Sequence, residues 1–318
     1  MSRTLIRYVH EGQQQWGLQF GTLIAPLGVV AQSTGEILEQ HWDAIWRIPT
    51  ESAKLPLSQV QLLSPVTERQ QFICQGVNYR THIAESGLKV EDFPFNTLFT
   101  KAPSCITAAD APVVRPSNVK LLDYEIELGL VLRKPLPAHT KVTTADLHQW
   151  LAGITIVNDL SARDVQLPQG QFYKGKSYRG FGPVGPGLVL LEPAEWRRLP
   201  ELHMRLSVNE QIRQDAYCAD MIHAPAATLT ELATLHEVDA GDLIATGTPA
   251  GCAARAPGKL TMFILKHLMS DAKKWQMFIQ KGLSNPAYLR PGDQIKASIR
   301  TDDGQIDLGT QTTRIIDP

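Results

Sequence analysis

Short apolar runs closed by Gly, Pro, Asn or Asp dominate this chain, and few stretches carry the spacing of a long amphipathic helix. Near the start, LIRYVH, QWGLQFG and TLIAPLGVVAQ read as strands, with Gly17 and Gly21 as turn punctuation. They predict a small β-rich N-terminal domain over residues 1–70, closed by a connection spotted with Pro56, Ser58, Ser64 and Pro65. From QFICQGVNY onward the apolar runs lengthen, and LDYEIELGLVLRK, ITIVND, PGLVLLE and LHMRLSVNEQIRQ all predict strands. Two helices are expected among them. TLTELATLHEV places Thr228 as N-cap with Glu231 in capping-box spacing, and AKKWQMFIQKG puts Trp275, Phe278 and Ile279 on one face with Gly282 as its stop. The pattern implies a mostly β, α+β protein: the small module over 1–70, then a larger β-rich domain over 71–318.

Composition narrows the function. A chain of 318 residues can bury a sizeable core in one or two domains. Its 31 Lys and Arg against 32 Asp and Glu give no basic footprint, so a small-molecule substrate or a protein partner is expected and nucleic acid is not. No apolar run is long and uncharged enough to cross a bilayer, and the opening MSRTLIRYVHEGQQQW lacks a signal-peptide core. A cytoplasmic protein without a membrane partner is expected. Cys74, Cys105, Cys218 and Cys252 lie far apart and form no Cys-x-x-Cys pair, which predicts small buried hydrophobes.

Chemistry concentrates in the acids. A strand through Asp123-Tyr124-Glu125-Ile126-Glu127-Leu128 would send Asp123, Glu125 and Glu127 to one face and the apolar residues to the other. Adjacent like charges are costly unless water or a hard cation such as Mg²⁺, Mn²⁺ or Ca²⁺ neutralises them. Taken alone, the pattern fits either a solvated edge strand or a metal site. Asp159 ends the apolar run GITIV, where it either forms a turn or projects its carboxylate from a strand terminus. His82 and Glu85 stand at i, i+3, so one helical turn would bring the carboxylate beside the imidazole.

Six blocks occur in one order: NYRTHIAE, YEIELGLVL, NDLSARDVQ, GKSY, GPVGP and TGTPAG. Together they resemble the signature of the fumarylacetoacetate hydrolase family, over most of residues 70 to 252. The resemblance implies that Glu125, Glu127 and Asp159 bind a divalent metal, Mg²⁺ first, with Mn²⁺ or Ca²⁺ as alternatives, and that His82 with Glu85 activates water. It implies that Lys176 and Gln166 face a developing enolate or oxyanion, and that Thr248 contacts a substrate carboxylate. Lys101 is a possible substrate-side charge. Asp123 matches no ligand and is expected as a supporting or surface acid, and Arg163 and Asp164 as a supporting ion pair. The chain departs from the family pattern at Tyr178-Arg179-Gly180 and in a helical insertion over about 258–284.

The function this implies is metal-dependent hydrolysis of a C–C bond in an acylpyruvate or related diketo acid, in catabolism such as aromatic degradation, by a homodimer. A second reading keeps the site and changes the reaction to decarboxylation, isomerisation or hydration of a 2-oxo acid such as oxaloacetate. A third is a non-catalytic binding protein on the same fold.

Overall fold

The computed structural model describes residues 2–85, 87, 89–255 and 270–318. Strand is the prevailing element, as the apolar runs predict. The largest sheet places its strands in the order Leu55–Pro56, Leu23–Pro26, Gln13–Phe20, Arg3–His10, Leu188–Leu190, Leu151–Asn158, Ile126–Leu132, Leu243–Ala245, Phe72–Gly76 and Thr97–Lys101. The N-terminal strands therefore continue the main sheet: Arg3 pairs with Leu190 and Leu5 with Leu188, antiparallel. A second sheet joins Gln211–Tyr217, His203–Val208, Gln294–Arg300, Asp307–Ile316 and Val113–Val114.

The strands at the centre of the large sheet explain why their sequences run apolar without alternation. Every residue of Ile126–Leu132 and of Leu151–Asn158 is buried, because both faces of these strands are covered. Leu128, Leu130 and Leu132 pack with Ile154, Ile156, Met204 and Leu206 in the main core, while Val131, Ala152 and Val157 belong to the core against the N-terminal strands. Leu128 stands opposite Ile156 and Ile126 opposite Asn158, so the register delivers Asn158-Asp159 beside Glu125.

Several expected details differ. The segment at Thr228 is helical over Pro225–Leu235, but its N-cap is Ala224 with Pro225 in the first turn. Thr228 lies inside the helix, buried, where its hydroxyl accepts a hydrogen bond from Gln75 Nε2 at 2.9 Å; proline's fixed φ sets the start one turn earlier than the hydroxyl does. Gly17 sits within the strand Gln13–Phe20, not in a turn. The second helix, Asp271–Leu283, runs through Gly282, whose missing side chain lets it lie on Leu121. Residues 258–269 of the expected insertion lie outside the described residues. All four cysteines are buried and unpaired. Among the described residues no helix is long and apolar enough to cross a membrane.

Candidate active site

The acids do not form one solvated strip. Asp123 belongs to the short strand Leu122–Asp123, paired with Ser161–Ala162, Glu125 lies in the break that follows, and Glu127 is the second residue of Ile126–Leu132. All are buried: Glu125 is 5 % exposed, Glu127 1 % and Asp159 0 %. The three offer ligand oxygens within 4.8 Å of one another. Two backbone-directed bonds hold the group together: Asp159 N donates to Glu125 O at 2.8 Å, and Glu125 N donates to Asn158 Oδ1 at 3.1 Å.

Asp123 is neither a surface acid nor part of this cluster. Its carboxylate accepts from Ala253 N at 2.8 Å, Ala254 N at 2.9 Å and Arg163 Nε at 2.8 Å, so it anchors the loop after TGTPAG and aims the guanidinium. Arg163 also bonds Glu125 through Nη2 and donates to Gln166 Oε1 at 2.9 Å. The expected Arg163–Asp164 pair is absent; Asp164 instead accepts from the backbone of Lys120 and Leu121. The carboxylates of the cluster are the nearer partners for a buried guanidinium.

Lys176 Nζ bridges Glu125 Oε2, at 2.7 Å, and Asp159 Oδ2. Its position depends on Gly175, where a Cβ would fall 2.6 Å from Gln166 Cβ; the helix Phe172–Lys176 can lie on the helix Arg163–Gln169 only with glycine there. Lys101 Nζ bonds Asp159 Oδ1 at 2.6 Å and Phe181 O at 2.8 Å. It does not reach the cavity wall, where the sequence places a substrate-side charge, because both contacts use its ammonium in the interior.

Four buried carboxylates, Asp123, Glu125, Glu127 and Asp159, thus meet three buried cations, Lys101, Arg163 and Lys176, leaving one negative charge in excess. It falls on Glu127, whose carboxylate receives one hydrogen bond among the described residues, from Gly247 N at 2.8 Å. Gly247 adopts φ +87, and a Cβ there would fall 3.0 Å from Asn78 Cβ, so this turn takes glycine. Burial, then Asp159 and Glu125, push the Glu127 carboxyl well above its ordinary range. Burial also opposes ionisation of Glu125, yet Arg163 and Lys176 hold it at about 2. A buried cluster of hard oxygens in which one carboxyl lacks a counter-charge is a donor set that can hold a divalent cation.

One cavity gathers part of this set, while Asp159, like Asp123 and Lys101, stays behind its wall. Its wall includes Glu125, Glu127, Arg163, Gln166, Lys176 and Thr248, with His82 beside them. Burial lowers the His82 pKa, and Arg163 lowers it further against the pull of Glu125, so the imidazole is neutral at pH 7. Its Nδ1 is buried and has no hydrogen-bond partner among the described residues. Glu85 does not touch it: the carboxylate accepts from Gly251 N at 2.8 Å and pairs with Arg255 at 3.3 Å. The i, i+3 spacing therefore falls on a helix, Arg80–Glu85, without producing the dyad. Thr248 Oγ1 donates to Ile126 O at 2.9 Å and accepts from Gln214 Nε2 at 2.8 Å, so its proton serves the strand.

The cavity also contains residues that the motifs did not single out: Gln75, Phe99 and Phe172. Phe99 and Phe172 stack with centroids 4.8 Å apart, and Lys176 Nζ lies 5.4 Å from the Phe99 ring. Gln75 Nε2 is fixed by Asn96 Oδ1 and Thr228 Oγ1, while its Oε1 stays buried without a partner. QFICQGVNY shows an apolar run ending in a polar residue, and nothing in it separates an interior amide from a turn.

Residues 71–316 match the family described as the C-terminal domain of fumarylacetoacetate (FAA) hydrolase. The chain is 32 % identical over 245 residues to oxaloacetate tautomerase YisK of Bacillus subtilis, covering 76 % of this chain and 71 % of that protein. It is 30 % identical over 305 residues to an uncharacterised protein of Staphylococcus aureus, covering 95 % and 83 %. Among solved structures, a fumarylacetoacetate hydrolase from the psychrophile Exiguobacterium antarcticum superposes with TM-score 0.76 at 27 % identity, over 99 % of this chain and 100 % of that one. A probable 2-hydroxyhepta-2,4-diene-1,7-dioate isomerase from Mycobacterium abscessus superposes with TM-score 0.71 at 27 % identity, over 99 % of both.

Proposed function

Because the chain belongs to the fumarylacetoacetate hydrolase family, we propose that it is an enzyme that interconverts the keto and enol forms of a 2-oxo acid, with Glu125, Glu127 and Asp159 holding a divalent cation, Mg²⁺ first. The observation that carries this reading is one cavity lined by His82 together with Glu125, Glu127, Arg163, Gln166 and Lys176. When bound, the cation supplies a Lewis acid that polarises the substrate carbonyl. His82 is the base: its imidazole takes the proton from the carbon next to the carbonyl, and the C–H electron pair moves into the new C=C bond as charge reaches the carbonyl oxygen. Lys176 and the free amide protons of Gln166 face that oxygen and stabilise its charge. The imidazolium then returns the proton to oxygen, so the net change is a proton moved from carbon to oxygen. Arg163, fixed by Asp123, keeps Glu125 ionised. Gln75 Oε1 offers an acceptor to the enol hydroxyl. The similarity to an oxaloacetate tautomerase supports the reaction class, and a homodimer remains part of the proposal.

Hydrolysis of a C–C bond in an acylpyruvate is the second reading, favoured by the presence of His82 on the cavity wall. It asks His82 to activate water, with Glu85 leaving Gly251 to orient the ring. Freshly dissolved enol oxaloacetate separates the two readings. Decay of its enol absorbance should accelerate with the protein and Mg²⁺ or Mn²⁺ and return to the background rate on chelation. Cleavage of acetopyruvate without enol turnover would transfer the assignment to hydrolysis, and inactivity toward both would overturn both readings.

A further inference from the structure

Away from the active site, a cleft of about 290 Å³ opens at the end of the helix Asp271–Leu283, close to the lower bound of small-ligand sites. Three cations line it, Arg115, Lys120 and Arg290, over an apolar floor that includes Leu283, Tyr288 and Leu289. No ion pair engages any of the three among the described residues, and Arg115 Nε is buried without a partner. Residues 256–269 contain neither Asp nor Glu, and the other undescribed positions are Met1, Ser86 and Leu88, so no carboxylate is available there to neutralise them.

Two acids bonded to the backbone around the cleft are already engaged. Asp164 accepts from Lys120 N and Leu121 N, and Asp293 accepts from Arg290 N at 2.7 Å and from Asn209 Nδ2 at 2.7 Å. Nor are the cations needed to cap the helix. Its last carbonyls are met locally: Ser284 Oγ donates to Lys281 O at 2.9 Å, and Ser284 N and Asn285 N both donate to Gly282 O. Arg290 spends one long contact, 3.5 Å, on Leu283 O and keeps its other donors. Three cations without an ion-pair partner among the described residues line one open, partly apolar cleft, and a bound anion would offset their mutual repulsion while gaining charge-assisted hydrogen bonds.

We propose that this cleft is a second binding site, for a small organic anion that carries at least two negative charges on a compact apolar body. Phosphate monoesters and polycarboxylates share that chemistry. The site is independent of the reaction assigned above, since no residue lines both cavities.

Calorimetric titration of the full chain tests this, with phenyl phosphate and benzene-1,3,5-tricarboxylate as the probes and neutral benzyl alcohol as the control. At least one charged probe should bind once per chain below millimolar, and the preferred probe identifies the head group. Arg290→Gln, Lys120→Gln and Arg115→Gln should each weaken binding about tenfold or more, as loss of a charged hydrogen bond predicts. Arg290 and Lys120 are exposed, so these two variants keep the test valid if Arg115→Gln misfolds. Absence of binding by both charged probes, equal binding of benzyl alcohol, or unchanged binding in the Arg290 and Lys120 variants would overturn the proposal.

Discussion

Replacing Lys176 by Met removes a buried ammonium and keeps most of its volume. In the native chain that ammonium bridges Glu125 Oε2 and Asp159 Oδ2, both nearly inaccessible to water. Without it, four buried carboxylates face only Lys101 and Arg163. Removing one partner of a buried charge pair costs about 3–5 kcal/mol, and with 318 residues unfolding at about 2.1 cal/mol/K each, a kcal/mol moves Tm by about 1.5 °C. In chelator, the variant should therefore melt roughly 4–8 °C below the native protein. Added Mg²⁺ or Mn²⁺ should recover more Tm in the variant than in the native protein, because a cation binding only the folded state stabilises it in proportion to its affinity, and the variant site is the more negative. Thermal melts of both proteins, each with EDTA and with saturating metal, measure the two gains. A variant that melts with the native protein in EDTA, or gains no more from metal, would refute the account of Lys176 as the internal counter-charge of the acid cluster.

Glu127→Gln should stabilise the metal-free protein at pH 7 while weakening cation binding. The folded carboxyl has a raised pKa, so its stabilising protonation is complete below the unfolded value of about 4.5 and lost as pH rises through the folded value; melts in EDTA and a metal titration check both effects. His82, whose pKa is lowered, contributes stability above about 6.5 that is lost as pH falls through its folded value, so His82→Gln should flatten the drop in Tm between pH 7 and pH 5. The same substitution should slow enol–keto turnover about 10²–10⁴-fold if the imidazole is the base. Gly175→Ala would set a methyl group 2.6 Å from Gln166 Cβ and force the two short helices apart. Turnover should fall by up to about 10²-fold from displaced Lys176 and Gln166, with the circular dichroism spectrum unchanged.

The strand-rich class and the positions of most strands were legible in the sequence, because apolar runs closed by turn residues report burial directly. The acids of the buried cluster were legible as exceptions: at Ile126–Leu132 and Leu151–Asn158 a charged group interrupts or follows an otherwise apolar run, and the ordered motifs suggested a role for those interruptions. Contacts between distant segments were not. Spacing placed Glu85 beside His82, whereas the fold gives Glu85 to Gly251, which is remote in sequence and near in space. Arg163 was expected to face its sequence neighbour Asp164, but the pairing of Leu122–Asp123 with Ser161–Ala162 brings Asp123 and Glu125 to it. Lys101 read as a charge at the substrate, and only the packing of Thr97–Lys101 against Phe72–Gly76 turns it to Asp159. The sequence by itself determined where polar groups interrupt apolar runs, since that pattern is local. Which charge neutralises which was left to the tertiary structure, because electrostatic pairing follows distance through space, and the sheet sets those distances by register between strands far apart in the chain.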